Sequence, residues 1–221
     1  MTSFRAVILD LDGTLLDTAG EIAAAMDRTL DELGLRRVAL PEVTAMIGRG
    51  VPMLVERVLA RLGATGVDHA AAIERFEAHY AQTVGTGARP FEGVTKGLER
   101  MHQAGLGLAV VTNKPRFFTE QLLEHAKIAR FFTVVIAGDD GVRKKPHGDM
   151  LEAACRGMAT PPNETLMLGD SDNDVAAARA AGCPVWCVPY GYNEGRPAES
   201  LACDRLVATV DEAARLITRA V

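Results

Sequence analysis

The chain has 221 residues, of which 48% are hydrophobic and 24% charged, an ordinary balance for one large or two small globular domains. This balance excludes a disordered chain, and the formal net charge of −5 argues against electrostatic binding to nucleic acid or an anionic membrane. No apolar run approaches the roughly 18 residues of a membrane span, and the opening segment lacks secretory-signal features. We therefore expect a cytoplasmic protein without membrane or nucleic-acid partners. The four cysteines form no CxxC pair, which predicts free thiols.

The first predicted strand is a short apolar run at 5–10, and it leads into Asp10 and Asp12. Thr18 to Glu21 has the spacing of a capping box, which predicts that a helix starts there and ends near Gly34. Four apolar stripes at helical spacing and no convincing strand then predict a helical bundle. The stripes after the first are expected around 41–47, 51–62 and 73–84, and the linker out of the bundle around 85–90.

After Pro90 the pattern alternates between helices and short apolar strands, which is typical of a parallel sheet wound with helices on both sides. The sequence thus predicts a doubly wound α/β fold: an α/β core of residues 1–15 and 90–221, and an inserted α-helical domain of residues 16–89. The expected strands are 106–112, 133–137, 165–168 and 184–188, and the expected helices are 94–104, 116–126, 148–157, 172–181 and 211–219.

Polar side chains follow the first four predicted strands of the core, and in parallel sheets such residues meet at one edge. They are Asp10, Asp12 and Thr14, then Thr112, Asn113 and Lys114, then Asp139, Asp140, Lys144 and Lys145, then the acidic run from Asp170 to Asp174. Clustered carboxylates repel one another and suit Mg²⁺, which prefers carboxylate and phosphate oxygens. One carboxylate could form an aspartyl-phosphate, and a second could move a proton between the leaving oxygen and water.

The ordered motifs Asp10-Leu-Asp12-Gly-Thr14, Val110-Val-Thr112-Asn113, Lys145-Pro146 and Gly169-Asp170-Ser-Asp172-Asn-Asp174 resemble those of the haloacid-dehalogenase-like superfamily. The resemblance covers essentially the whole chain. It implies a Rossmann-like core with a helical cap, and a Mg²⁺-dependent phosphatase that works through an aspartyl-phosphate.

The resemblance also implies a role for each motif residue. Asp10 would be the nucleophile and a metal ligand, and Asp12 the general acid/base that binds metal through its carbonyl. Thr112 and Asn113 would hydrogen-bond the phosphoryl group, and Lys145 would neutralise charge on nucleophile and phosphate. Asp170 would ligate Mg²⁺, while Asp174 would hold Lys145 or a metal-bound water.

Two further segments, Ile47-Gly-Arg49-Gly50 and Pro189-Tyr-Gly-Tyr-Asn193, resemble phosphoglycolate phosphatases. This similarity implies 2-phosphoglycolate as the substrate, with Arg49 a candidate partner for its carboxylate. The alternatives are a phosphosugar phosphatase or a phosphomutase of the same fold, and a non-catalytic binding protein. The latter is disfavoured because Asp10, Asp12, Thr112, Lys145 and Asp170 are all present.

Several of these residues also have a structural interpretation. Asp172 could be a helix N-cap rather than a ligand, and we favour the cap. Arg49 could be a solvated surface residue. The stripe containing Phe76 and Tyr80 is interpreted as core packing. The sequence leaves the oligomeric state open.

Overall fold

The computed structural model describes residues 4–218, and its central feature is a sheet of six parallel strands. In chain order the strands are β1 (Ala6–Leu9), β2 (Leu16–Asp17), β3 (Arg89–Pro90), β4 (Gly107–Val111), β5 (Val134–Ile136), β6 (Thr165–Gly169), β7 (Val185–Cys187) and β8 (Arg205–Leu206). The sheet has the order β5-β4-β1-β6-β7-β8, while β2 and β3 pair antiparallel as a separate two-stranded ribbon.

The helices cover both faces of the sheet and form the insertion between β2 and β3. Four of them, α1 (Ala19–Glu32), α2 (Leu40–Thr44), α3 (Val51–Leu62) and α4 (His69–Ala81), make up the insertion. The others are α5 (Val94–Gln103), α6 (Arg116–His125), α7 (Asp149–Gly157), α8 (Asp172–Ala181) and α9 (Val210–Thr218). Within residues 4–218, no helix is both long and apolar enough to cross a bilayer.

The sheet core follows the alternation of side chains along β1. Val7 and Leu9 pack into a cluster that also holds the apolar side chains of the insertion, and Ile8 packs into a second cluster with α7 and α8. All four residues of β1 are fully buried, as expected for a strand covered on both faces. The doubly wound α/β fold with an inserted helical cap is confirmed.

Strand order fixes where a ligand can bind. From β1 the chain proceeds outward to β4 and β5 on one side, then returns to β6, β7 and β8 on the other. Ligands in open α/β sheets bind beyond the carboxyl ends of the strands, where the direction of winding reverses. In this protein that place lies beyond β1, β4 and β6.

The structure corrects the predicted capping box at Thr18 and Glu21. Thr18 is the N-cap of α1, but its side chain makes no capping bond, and its hydroxyl donates to Asp12 Oδ1 at 2.7 Å. Glu21 is buried and accepts from the amides of Gly85, Gly87 and Ala88. Tertiary hydrogen bonds therefore replace the local bond that the spacing predicted.

Other differences concern short elements and boundaries. The ribbon β2–β3 and the edge strand β8 have two residues each, too few for a periodic pattern. The second helix of the insertion is shorter than predicted and ends at Thr44. Residue 219, where the last predicted helix ended, lies outside the described residues. The division into domains at residues 15 and 90 stays a prediction.

Gly97 in α5 packs directly against the backbone at the start of α9. A Cβ atom there would lie 2.7 Å from the carbonyl carbon and oxygen of Val210, whereas one at Gly20 in α1 would meet no atom within 4 Å. We predict that Gly97→Ala lowers the free energy of unfolding by about 1–3 kcal/mol through overpacking. Gly20→Ala should leave it unchanged or raise it by up to about 1 kcal/mol. Urea denaturation of both variants checks this, and a stabilised Gly97→Ala protein would contradict the packing described.

Candidate active site

Three strands deliver polar side chains to one edge of the sheet. Asp10 follows β1, Thr112 follows β4 and Asp170 follows β6, and all three are buried. Because β1 pairs in parallel with both neighbours, these side chains converge at the point where the winding reverses. The loop that carries Lys145, after β5, closes over the same place.

The ammonium of Lys145 lies at the centre of the cluster. Its Nζ is 2.8 Å from Asp10 Oδ1 and 2.7 Å from Asp174 Oδ1, and it donates to the carbonyl of Val111 at 3.0 Å. An ammonium has three hydrogens, so these contacts use its full donor capacity. Its side chain is 1% exposed, and the contacts hold it rigidly against Asp10.

Burial and mutual repulsion perturb the acidic groups. Burial, together with Asp174 and Asp170, raises the pKa of Asp10 well above its usual range, and Lys145 offsets this only in part. Burial and the neighbouring Asp174 raise the pKa of Asp170 to about 7. Burial would lower the pKa of Lys145, but the adjacent Asp10 and Asp174 outweigh it and the pKa is raised. The site therefore carries more negative charge than one lysine neutralises.

Backbone and hydroxyl groups fix the orientation of Asp170. Its Oδ1 accepts from the Thr14 hydroxyl and its Oδ2 accepts from the amide of Tyr192, both at 2.8 Å. A Cβ atom at Gly13 would lie 2.6 Å from Asp170 Oδ2, and one at Gly191 would lie 2.2 Å from the Asp170 Cβ. Glycine at these two positions is what allows the loops after β1 and β7 to enclose this carboxylate.

Asp174 is held by protein donors on both of its oxygens. Oδ1 contacts Lys145, and Oδ2 accepts from the amides of Asp170 and Ser171 and from the Ser171 hydroxyl. Ser171, not Asp172, is the N-cap of α8, and Ser171 with Asp174 forms the capping box of this helix. The preference for Asp172 as N-cap was wrong: Asp172 is the first residue of α8, and its carboxylate pairs with Arg196.

The three carboxylates could hold a divalent cation. Asp10, Asp170 and Asp174 each offer an oxygen, and these oxygens lie within 4.8 Å of one another. Asp174 accepts four hydrogen bonds, three of them on Oδ2, whereas Asp170 accepts one on each oxygen. Asp10 Oδ2 accepts no hydrogen bond from the described residues. Asp10 and Asp170 are therefore the better ligands, and an all-oxygen set fits Mg²⁺.

Asp12 lies at the boundary between the core and the insertion. Its Oδ1 accepts from Thr18, and its Oδ2 lies 3.0 Å from Nζ of Lys114. The side chain is 12% exposed, and it lines the same cavity as Asp10. A carboxylate placed here can exchange protons with a group bound beside Asp10.

The side chain of Asn113 joins the loops around the cavity. Its Nδ2 donates to the carbonyls of Gly48 and Lys145, and its Oδ1 accepts from the amide of Lys145. Asn113 thus ties the insertion loop at Gly48 to the loop of Lys145. Its contact with a phosphoryl group stays a prediction, as does that of Thr112, which lines the cavity.

Arg49 lies apart from the cavity. Its guanidinium donates to Glu194, with Nε 2.6 Å from Oε1, and its side chain is 41% exposed. Arg57 in α3 contacts the same carboxylate at 3.0 Å. In this arrangement Arg49 contributes to an ion-pair cluster between the insertion and the loop after β7. Its predicted contact with substrate stays a prediction.

A small cavity of about 30 Å³ lies between the insertion and the core. The core contributes its polar wall, and apolar side chains of the insertion form the opposite wall. The polar wall is Asp10, Asp12, Thr112, Asn113 and Lys114, and the other consists of Ile22, Ile47, Val51 and Leu54 with Gly48 and Gly50. Asp10 is buried beside this cavity, which limits its contact with bulk water and strengthens charge interactions there.

The sequence analysis predicted no role in the site for three residues that lie there: Lys114, Tyr80 and Tyr192. Lys114 directly follows Thr112 and Asn113, so its position after β4 was a signal for it. Tyr80 packs in the core as predicted, but its hydroxyl also reaches Lys114 at 3.1 Å. The hydroxyl of Tyr192 accepts from the amides of Thr18 and Ala19, and nothing local in the sequence indicates that contact.

The sequence and fold match known proteins along nearly all of the chain. Residues 7–188 match the sequence model of the haloacid dehalogenase-like hydrolases. The chain belongs to this family. The predicted resemblance is confirmed.

The hydrolase is 42% identical over 219 residues to phosphoglycolate phosphatase of Thiobacillus denitrificans, with 98% of this chain and 96% of that protein covered. It is 43% identical over 218 residues to the plasmid phosphoglycolate phosphatase of Cupriavidus necator, with 97% and 94% covered. Its fold is similar to the crystal structure of a predicted phosphoglycolate phosphatase from Haemophilus somnus, with TM-score 0.92, 27% identity, and coverage of 98% and 99%.

The acceptor role of Asp174 predicts the effect of replacing it in this hydrolase. In Asp174→Asn, an amide nitrogen replaces one of the two accepting oxygens. Buried donors, either Lys145 or those of Asp170 and Ser171, would then lose their acceptor. We predict that the free energy of unfolding falls by about 1–3 kcal/mol. Asp172→Asn is the control, because its exposed pair with Arg196 is worth only about 0–1 kcal/mol. Urea denaturation checks the pair, and equal losses in the two variants would contradict this account.

Proposed function

We propose that this hydrolase is a Mg²⁺-dependent cytoplasmic phosphatase that cleaves a small phosphomonoester, 2-phosphoglycolate, through an aspartyl-phosphate on Asp10. The observation that carries the proposal is the placement of Asp10. Its Oδ1 is fixed by Lys145 and by the amide of Leu11, while Oδ2 accepts no hydrogen bond from the described residues. Asp10, Asp12 and Thr112 all line the same cavity.

The relatives support the phosphatase class. Proteins named phosphoglycolate phosphatase share about 40% identity with this chain over nearly its full length, which indicates a phosphoric monoester hydrolase. The names of these relatives favour 2-phosphoglycolate over the phosphosugar substrates of the alternative.

The metal would be held by carboxylate oxygens of Asp10 and Asp170 and by the backbone carbonyl of Asp12. When bound, Mg²⁺ neutralises charge on the carboxylates and the phosphate and orients them. The raised pKa values of Asp10 and Asp170 support a cation site, because they reflect carboxylates that have too little positive charge nearby.

In the first step Asp10 Oδ2 attacks phosphorus, and a bond forms between that oxygen and phosphorus. The bond from phosphorus to the leaving oxygen breaks, and Asp12 gives that oxygen its proton, so the alcohol leaves neutral. Lys145 stays beside Asp10 and balances negative charge on the transferring group, and the Thr112 hydroxyl and Asn113 would hydrogen-bond the phosphoryl oxygens.

In the second step a water molecule attacks the phosphorus of the aspartyl-phosphate. Asp12, now ionised, takes a proton from that water, and the bond from phosphorus to Asp10 Oδ2 breaks. Inorganic phosphate leaves, Asp10 is again a carboxylate and Asp12 is again protonated. The same residue thus serves as acid and then as base.

Asp10→Asn should abolish phosphate release, because an amide cannot serve as the nucleophile. We expect kcat to fall by at least about 10³-fold, the scale that follows loss of a nucleophile. Asp139→Asn is the control, since Asp139 also follows a strand of the sheet but is exposed. Phosphate release from 2-phosphoglycolate measures both, with circular dichroism to check folding. Sustained turnover by folded Asp10→Asn protein would exclude this mechanism.

Metal binding should depend on pH through Asp170. Its pKa is about 7 in the folded protein and 3.8 as an ordinary carboxyl. The stability that its proton provides is therefore present below pH 3.8 and is lost as pH rises through about 7. Mg²⁺ must displace this proton, so we predict that Mg²⁺ raises Tm more at pH 8 than at pH 5.

Thermal melts in EDTA and in MgCl₂ at the two pH values measure this difference directly. In Asp170→Asn, which has no carboxyl proton to displace, the Mg²⁺-dependent shift should be small at both pH values. An equal Mg²⁺ shift at pH 5 and pH 8 in the unmodified protein would show that Asp170 does not bind the metal.

A further inference from the structure

We propose that Lys114 selects the substrate by binding an anionic group on the leaving alcohol, next to the oxygen that leaves. This inference rests on the proposed function, and it names a specificity-determining residue for the phosphatase site. The ligand chemistry is a short phosphorylated hydroxy acid, in which a carboxylate is one carbon away from the ester oxygen.

The ammonium of Lys114 has one hydrogen without an acceptor among the described residues. Its Nζ lies 3.0 Å from Asp12 Oδ2 and donates to the Tyr80 hydroxyl at 3.1 Å. Among the described residues no third acceptor contacts this ammonium, whereas Lys145 uses all three of its hydrogens. The Lys114 side chain is 5% exposed and lines the cavity, so its remaining hydrogen is available to a group bound there.

A chain of hydrogen bonds holds the ammonium in place. The Tyr80 hydroxyl accepts from Lys114 and donates to Glu21 Oε1 at 2.8 Å. The other oxygen of Glu21 accepts from three backbone amides at the end of the insertion. The tyrosine oxygen is thereby oriented with its lone pairs toward Lys114, and a preorganised ammonium loses little freedom when it binds an anion.

Charge makes Lys114 the best-placed partner for an anion in the cavity. Among the described residues that line the cavity, Lys114 is the one with a positive charge. The wall that the insertion forms on the other side of the cavity is apolar. Arg49, the partner expected from the sequence, is bound to Glu194 and does not line the cavity. An ion pair formed beside an apolar wall is screened less than one in water.

The distance between Lys114 and Asp12 fits a short leaving alcohol. Asp12 serves the leaving oxygen, and its Oδ2 is 3.0 Å from the ammonium. A leaving alcohol as short as glycolate can therefore contact Asp12 through its ester oxygen and Lys114 through its anionic group. In glycolate, one methylene separates the carboxylate from the hydroxyl.

The test compares three phosphomonoesters that share a two-carbon skeleton: 2-phosphoglycolate, ethyl phosphate and phosphoethanolamine. The unmodified enzyme with Mg²⁺ should show the highest kcat/KM for 2-phosphoglycolate and the lowest for phosphoethanolamine. Lys114→Met should reduce the preference for 2-phosphoglycolate over ethyl phosphate by about 10- to 100-fold, the scale of one charged hydrogen bond. The selective part of this loss should appear in KM.

Two further variants serve as comparisons. Lys144→Met removes a lysine near Gly50. It should change kcat/KM for 2-phosphoglycolate and for ethyl phosphate by the same factor. Tyr80→Phe keeps the ammonium but removes the hydroxyl that positions it, so it should lower the preference by less than Lys114→Met does. If Lys114→Met does not fold, Tyr80→Phe and the substrate order of the unmodified enzyme decide the question.

Equal kcat/KM for 2-phosphoglycolate and ethyl phosphate in the unmodified enzyme would overturn the role of Lys114 and leave the phosphatase activity standing. An unchanged preference in folded Lys114→Met protein would do the same. Loss of preference in Arg49→Met, with Lys114→Met unaffected, would assign the carboxylate to Arg49. Phosphate release from none of the three esters would overturn the proposed function as well.

Discussion

Excess negative charge in a buried place is the constraint on which the rest of the site depends. Asp10, Asp170 and Asp174 bring carboxylate oxygens within 4.8 Å of one another, and one ammonium, that of Lys145, lies among them. Carboxylates this close, out of water, repel one another strongly. The protein offsets this repulsion with specific donors, and the negative charge that remains is suited to a divalent cation.

The three carboxylates differ in the hydrogen bonds that they accept. Asp174 accepts on both oxygens and orients Lys145, so it acts through that lysine. Asp170 accepts one hydrogen bond on each oxygen and retains lone pairs. Asp10 keeps Oδ2 without a protein donor among the described residues. This hydrogen-bond pattern favours Asp10 and Asp170 as the metal ligands of the proposed mechanism, and it leaves Asp10 Oδ2 available as the proposed nucleophile.

Much of the core of this site could be predicted from the sequence. Asp10, Thr112 and Asp170 each directly follow an apolar strand, and parallel strands bring their carboxyl ends to one edge. The contacts of the insertion could not be predicted in this way. Glu21 has the spacing of a capping residue, yet it accepts from amides that are more than sixty residues away. Arg49 pairs with Glu194, whose position depends on how two distant loops meet.

The central claim is that phosphate passes through a covalent bond to Asp10. The stereochemistry at phosphorus tests this most directly. A thiophosphate analogue of 2-phosphoglycolate, chiral through sulfur and two oxygen isotopes, is hydrolysed in water that carries the third isotope. Attack by Asp10 followed by attack by water comprises two in-line displacements, so the account predicts thiophosphate of retained configuration. Inverted configuration would mean that water attacks the ester directly, and it would contradict the account.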